Sequence, residues 1–432
     1  MSFSPALLFY RAATTLVGPF AGLWLNARAR SGKEDEDRIG ERFGRYTQAR
    51  PGGTLVWLHA ASVGESGVAM SLIEALAARD PSLSFVISTG TRTSADLVAK
   101  RAAPRTTHIY APLDTAACVR RFLAHWRPEL GVFVESEIWP NLILAAEKQG
   151  VKLALVNARM SVKTLRQWEN WPAAGKRLVK AFSFISAADG RTARALKRLR
   201  GEEISARGNL KLAAPAPSID INARASMLAQ IGARPIWLAA STHDGEDEIV
   251  LAAHERLREN FPNALLILVP RHPERGADIA RLAGGAPRRA LRQPIADAQV
   301  YIADTLGELG LFYDLAPTAL VAGSLLPHLK GHNPIEPAKL GAAILTGPHV
   351  ESFQDLFDAL FAAGGAASVD TPSSIAAAIT VLWRDDASRT EQLDSARRVA
   401  AQGADAFTHT LTSLSALLPP QPRAPRAVHA SA

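Results

Sequence analysis

The sequence predicts an α/β protein made of two Rossmann-like domains facing a central cleft, with a membrane-associated helix ahead of them. Three observations lead there. From about residue 54, short apolar runs alternate with helix-patterned segments. The runs are apolar on both faces, which indicates parallel sheets covered by helices on both sides. The alternation breaks once, at Pro215-Ala216-Pro217, and leaves two series of similar length.

Ala6 to Asn26 is apolar apart from Arg11, and Arg28, Arg30 and Lys33 follow it. The leading residues carry no basic side chain, which argues against a cleaved signal peptide. A spanning helix takes about 20 apolar residues, and Arg11 lies near one end, where it can snorkel. The basic flank would hold the rest of the chain in the cytoplasm. Residues 1–30 are therefore expected to anchor the chain, spanning the membrane or lying in its interface. The alternative is an amphipathic helix packed on the body of the protein.

The first α/β series, assigned to residues 31–212, offers strands at Thr54–His59, Ser84–Ser88, Thr107–Tyr110, Gly131–Val134, Leu153–Val156 and Phe184–Ala187. Helical patterns separate them at Ser66–Arg79, Ala95–Arg101, Thr115–Trp126, Asn141–Gln149 and Arg191–Leu199. The second series, assigned to 218–415, offers Ile236–Ala239, Ala264–Val269, Val300–Ile302, Ala319–Val321 and Ala343–Leu345. Residues 416–432 are rich in Pro, Ala and Arg without periodicity and are expected to be disordered.

Composition narrows the function. With 47% apolar residues in 432, the chain can bury large cores, and global disorder is excluded. The net charge of +8 suits nucleic acid, an anionic membrane or anionic substrates. The charge is spread out and no basic run is interleaved with aromatics, so nucleic acid fits least and is not expected as a partner. The single cysteine, Cys118, forms no intrachain disulfide, and no His/Cys cluster has zinc spacing. No metal site is expected.

Open α/β sheets bind ligands at the carboxyl ends of their strands, and the unusual residues gather there. Glu65 in "HAASVGES" either charges a helix N-terminus or takes a proton. Glu135 and Glu137 in "VESEIWPN" suit acid–base chemistry or sugar hydroxyls, and Glu137 could equally cap a helix. Arg271 in "PRHPER" is placed to clamp a phosphate; a surface salt bridge is the alternative. Gly307 in "DTLGEL" allows close backbone approach, with Glu308 beside it. In "GHNPIEP", Asn333 reads as an N-cap and Pro334 as the first helical residue. Glu336 then lies in the first turn, where it can hold two ribose hydroxyls or simply favour the helix dipole. Lys211 in "GNLK" closes the first series and could neutralise a phosphate or remain a solvated linker lysine.

Read together and in order, "HAASVGE", "FVESEIWPN", "NARMS", "GNLK", "STHDGEDE", "PRHPER", "DTLGEL" and "GHNPIEPA" resemble the 3-deoxy-D-manno-octulosonic acid (Kdo) transferases of lipopolysaccharide synthesis. The resemblance covers roughly residues 3 to 410. It implies a GT-B glycosyltransferase, inverting and metal-independent, with no cofactor. It implies transfer of Kdo from CMP-Kdo to a lipid A precursor, lipid IVA, at the cytoplasmic face of the inner membrane with its anionic lipids. It further implies Glu65 as general base, with Glu135 and Lys211 assisting the transition state. A CMP site is implied at Pro270 and Arg271, at Gly307, Glu308 and Leu309, and at Asn333, Pro334, Ile335 and Glu336. Two other readings stay open: a nucleotide-sugar epimerase on the same scaffold, and a non-catalytic, membrane-tethered glycolipid-binding protein.

Overall fold

The computed structural model describes residues 4–420 apart from 102, 137, 214 and 215. Glu137, the proline at 215 and most of the tail expected from 416 onward lie outside the described residues. Contacts divide the chain into two units, one of Met1–Lys211 with Gly403–Ala432 and one of Leu212–Gln402.

The first unit holds six parallel strands: β1 (Leu55–Ala60), β2 (Ser84–Thr89), β3 (Thr106–Tyr110), β4 (Leu130–Val134), β5 (Lys152–Ala158) and β6 (Phe184–Ala187). Their order across the sheet is β3-β2-β1-β4-β5-β6. Every residue of β1, β2 and β4 is buried, as strands covered on both faces require. Fully burying one such Val, Leu or Phe contributes roughly 1.5–3 kcal/mol. Polar atoms inside the sheet find partners: Trp57 Nε1 donates to Ser88 Oγ at 2.8 Å.

The second unit repeats this topology with β7 (Ile236–Thr242), β8 (Leu265–Pro270), β9 (Val300–Ile302), β10 (Thr318–Val321), β11 (Ala343–Thr346) and β12 (Ala366–Ser368), ordered β12-β11-β10-β7-β8-β9. Both sheets therefore reverse their strand order at one point, between β1 and β4 and between β7 and β10. That reversal opens the crevice where such sheets take ligands. The sequence reading omitted β12. It is a three-residue edge strand of Ala and Ser, too short and too small to show a pattern.

Two features differ from the expected boundaries. The last helix, Asp386–Leu417, runs past the division between units, and its Ala406, Leu411 and Leu414 join the first unit's core with Leu58 and Val132. The N-terminal segment is two helices, not one: Pro5–Val17 and Ala21–Arg30 meet at 65° across a 3-10 turn, Gly18–Phe20. Among the described residues no single helix is long and apolar enough to cross a membrane, although the bent pair passes by length and composition.

The first of these helices fully buries none of its residues; Leu7 packs against the first unit's core, and polar contacts tie it further. Tyr10 donates to Asp114 Oδ2 at 2.9 Å, and Asn141 Nδ2 donates to Thr14 Oγ1 at 3.0 Å. Asp114 in turn accepts from the backbone N–H groups of Asn141 and Leu142, at 3.1 and 2.8 Å. Those are orphan donors in the first turn of the helix Pro140–Lys148, which follows the Glu135 loop.

Candidate active site

In the first unit the loop after β1 turns straight into the helix Val63–Arg79. Ser62 is its N-cap: Oγ accepts from Glu65 N at 3.3 Å and donates to Glu65 Oε1 at 2.9 Å. Ala61 N donates to Glu65 Oε2 at 2.8 Å. The Ser-x-x-Glu spacing is that of a capping box, with the carboxylate reaching one residue further back than the N-cap. Glu65 is thus a buried carboxylate, 7% exposed, fixed at a helix N-terminus. Of the two roles read from the sequence, the geometry shows the helix-end carboxylate; the same side chain lies just past the carboxyl end of β1, where such sheets take ligands.

Across the reversal point, Glu135 leaves β4 with φ +62, and Asn157 near the end of β5 has φ +54. Two adjacent non-glycine residues in the left-handed region store strain, as functional sites often do. Hydrogen bonds over-determine them. Glu135 N donates to Val156 O at 2.9 Å, and Asn157 Nδ2 donates to Glu135 Oε1 at 3.3 Å and to Asn209 Oδ1 at 3.1 Å. Asn157 Oδ1 accepts from Leu210 N at 2.8 Å, and Asn209 Oδ1 accepts from Lys211 N at 3.0 Å. This ladder sets Lys211 so that Nζ lies 2.6 Å from Glu135 Oε1. Lys211 also packs over Gly64, the residue before Glu65: a Cβ there would lie 3.3 Å from Lys211 Cε. Glu65, Glu135 and Lys211 are therefore brought into one cluster.

In the second unit Pro270 ends β8, and Arg271 N donates to Thr242 O at 2.9 Å while its side chain is exposed. Gly307 has φ +83, and Leu309 opens the helix Leu309–Leu315. That helix packs on the helix Ile335–Leu340, which joins the 307–309 and 333–336 stretches. The carboxylate of Glu308 is already engaged: Arg289 Nη2 and Nε donate to it at 2.6 and 3.1 Å, and Thr305 adds its hydroxyl. The Arg289 bond is the main reason its carboxyl is held below the usual range. With that carboxylate engaged, what the loop leaves open is the backbone at Gly307, where a Cβ would meet nothing within 4 Å.

The "GHNPIEP" reading needs one correction. Asn333 is not the N-cap; the helix begins at Ile335, with Pro334 before it. Asn333 Oδ1 accepts from Ile335 N at 3.1 Å, and its Nδ2 donates to Glu336 Oε1 at 3.3 Å. Six residues also make a short helix, so its dipole contributes less than the sequence suggested. Burial raises the Glu336 carboxyl, and the Asn333 bond opposes it.

Comparison with known proteins decides the family. A family model described as "3-Deoxy-D-manno-octulosonic-acid transferase (kdotransferase)" matches residues 37–214. The 3-deoxy-D-manno-octulosonic acid transferase of Haemophilus influenzae is 32% identical, covering 90% of this chain and 93% of that protein. The chain belongs to the Kdo transferase family. A probable mitochondrial Kdo transferase of Arabidopsis thaliana is 34% identical, over 81% of each chain. The fold matches solved structures as well. MurG of Acinetobacter baumannii aligns over 84% of this chain and all of its own, with TM-score 0.52 and 13% identity. The UDP-GlcNAc 2-epimerase of Neisseria meningitidis aligns over 84% of this chain and all of its own, with TM-score 0.54 and 14% identity. The two units of this Kdo transferase are those of the GT-B glycosyltransferase fold.

Three features of this transferase escaped the sequence reading. Ser62 was visible as the first letter of Ser-x-x-Glu, a capping signal. Glu246, fully buried, accepts from four backbone N–H groups: His243 and Gly323 at 3.0 and 2.8 Å, Ser324 and Leu325 at 3.0 Å each. It pins the loops after β7 and β10 to one another. His243 and His332 meet above it, a pairing that no spacing announces.

Proposed function

We propose that this transferase moves Kdo from CMP-Kdo to lipid IVA with inversion, Glu65 acting as the general base. The observation that carries the reading is the cluster at the first sheet's reversal point, where a capped, buried carboxylate stands beside the Lys211–Glu135 pair. The acceptor hydroxyl would exchange with the hydroxyl of Ser62 on Glu65 Oε1. Glu65 then takes its proton as the acceptor oxygen attacks the anomeric carbon of Kdo. General base catalysis of this kind contributes typically 10²–10⁴-fold. Positioning, and stabilisation of the departing phosphate, supply the larger share.

Lys211 and Glu135 assist as a pre-formed ion pair whose charge can redistribute towards the reacting centre. In the second unit Arg271 suits the phosphate. Backbone at 307–309 and the Asn333–Glu336 stretch suit the nucleoside, with Glu336 offering a carboxylate to ribose hydroxyls. Incubation with CMP-Kdo and lipid IVA, following CMP release together with mass gain of the lipid, tests the function. CMP release coupled to Kdo-lipid formation supports it. An altered free sugar nucleotide would indicate an epimerase, and binding without turnover a glycolipid-binding protein.

The N-terminal helices supply a membrane contact in this reading. Phe9, Leu16, Phe20, Leu23 and Trp24 are exposed, and polar contacts hold the first helix to the unit. An apolar face left outward in this way suits the interface of an anionic inner membrane, with Arg28 and Arg30 following it. Full-length protein should stay with membranes in high salt, because screening weakens only the electrostatic part. Protein lacking residues 1–30 should be released. Loss of the intact protein from membranes in salt overturns this assignment.

A further inference from the structure

Three histidines stand in a row at the carboxyl ends of three neighbouring strands. His332 follows β10, His243 follows β7 and His272 follows β8, in the sheet order β10-β7-β8. The rings of His243 and His332 lie 11° from parallel, with their Nε2 atoms 3.0 Å apart. At that distance one nitrogen carries the hydrogen and the other accepts it. His272 meets His243 edge-on, with ring centroids 5.8 Å apart.

The pair is held deliberately. A Cβ on Gly323, whose φ is +71, would fall 2.4 Å from His332 Cδ2, so only glycine lets that ring lie against the backbone. Glu246 grips the N–H of His243 and of Gly323, and thereby fixes the seat of both rings.

The charged and titratable groups facing the pair are Arg271, Arg275, His272 and Glu246. Burial is the first cause that pushes His332 down to about 4, with His243 and Arg271 adding to it. Burial likewise lowers His243, and Glu246 opposes. Both rings are therefore biased towards the neutral form. An arriving anion reverses the sign of the local field and favours the protonated form.

We propose that the His243–His332 pair takes up a proton as the anionic sugar nucleotide binds and gives it to the departing phosphate. The inference rests on the donor site lying beside Arg271. In the transfer step the acceptor oxygen bonds to the anomeric carbon while the bond from that carbon to a phosphate oxygen breaks. The breaking bond leaves its electron pair on the phosphate oxygen. The acceptor's proton passes to Glu65 and the imidazolium's proton to that phosphate oxygen. CMP departs singly protonated, and the pair is neutral again.

Titration calorimetry of the full-length protein with CMP at pH 7, in two buffers of different ionisation enthalpy, reads the protons taken up. The wild type should take up most of a proton per CMP. His332→Asn and His243→Asn should each take up less than half as much, with CMP affinity within about threefold. Their transfer rates should fall about 10²-fold, and the alkaline limb of the pH–rate profile should disappear. Equal uptake and an unchanged alkaline limb in both variants overturn the inference alone, provided Arg271→Ala still weakens CMP binding. Unchanged CMP affinity in Arg271→Ala overturns the donor placement and the inference with it.

Discussion

Lys211 Nζ lies 2.6 Å from Glu135 Oε1, and Glu135 reaches it from a left-handed backbone with φ +62. A residue that bonds so well from so strained a position has been placed for what its carboxylate does, not for local stability. The strain is measurable by substitution.

Glu135→Ala loses the ion pair and keeps the strain, whereas Glu135→Gly loses the pair and relieves it. Glu135→Gly should therefore be more stable than Glu135→Ala by about 1 kcal/mol in urea unfolding, while both lose transfer activity. Equal stability of the two would mean that the left-handed conformation stores nothing.

Ser62→Ala removes an N-cap and one of the donors on Glu65. The cap should cost about 1 kcal/mol of stability. The larger effect should fall on kcat, because Glu65 loses its orientation, while KM for the sugar nucleotide stays within about twofold. A kcat equal to that of the wild type would separate the cap from the chemistry.

Gly323→Ala would drive a methyl group into His332 from a backbone that disfavours it. Destabilisation of roughly 1–3 kcal/mol is expected from the steric insertion alone. CMP affinity should fall with it, since the loop that ends at Asn333 must shift. Thermal unfolding with and without CMP reads both effects.

Acid should destabilise the protein through three histidines. Burial lowers His108 to about 3, and His254 and His332 to about 4, each from 6.5. As pH falls below 6.5 the unfolded chain binds protons that the folded chain refuses. The stability these neutral rings contribute is complete above pH 6.5 and is lost as pH drops towards 4. Between pH 7.5 and 5 the loss should sum to about 3 kcal/mol, after allowing for partial solvent screening. His254→Asn should flatten that dependence in denaturant titrations; an unaltered slope would contradict the assignment.

Much of this was legible in the sequence, and the reasons are local. Among the described residues, eleven of twelve strands announce themselves as apolar runs, most clearly the central ones whose two faces are covered, and β12 does not because it is three small residues at an edge. Glu65, Glu135 and Arg271 could be singled out because strand ends in such sheets face ligands; Lys211 follows no strand, and only the family resemblance picked it out. Asn333 was read one role too far: its side chain closes a turn onto Ile335 instead of capping the helix. The left-handed turn at Glu135 was invisible, since nothing in "VES" carries the glycine that usually marks such a conformation. The histidine pair was invisible for a different reason. His243 and His332 meet only because β7 and β10 are neighbours, and that adjacency belongs to topology, not to spacing.

The most direct measurement is transfer by Glu65→Gln, made alongside CMP binding by the same preparation. The amide keeps the shape of the cap: its oxygen can still accept from Ala61 N and its nitrogen can donate to Ser62. It cannot take a proton. Loss of transfer by 10² or more, with CMP affinity unchanged, is the result expected of a general base. Near-normal turnover would show that Glu65 only caps the helix Val63–Arg79 and would contradict the mechanism.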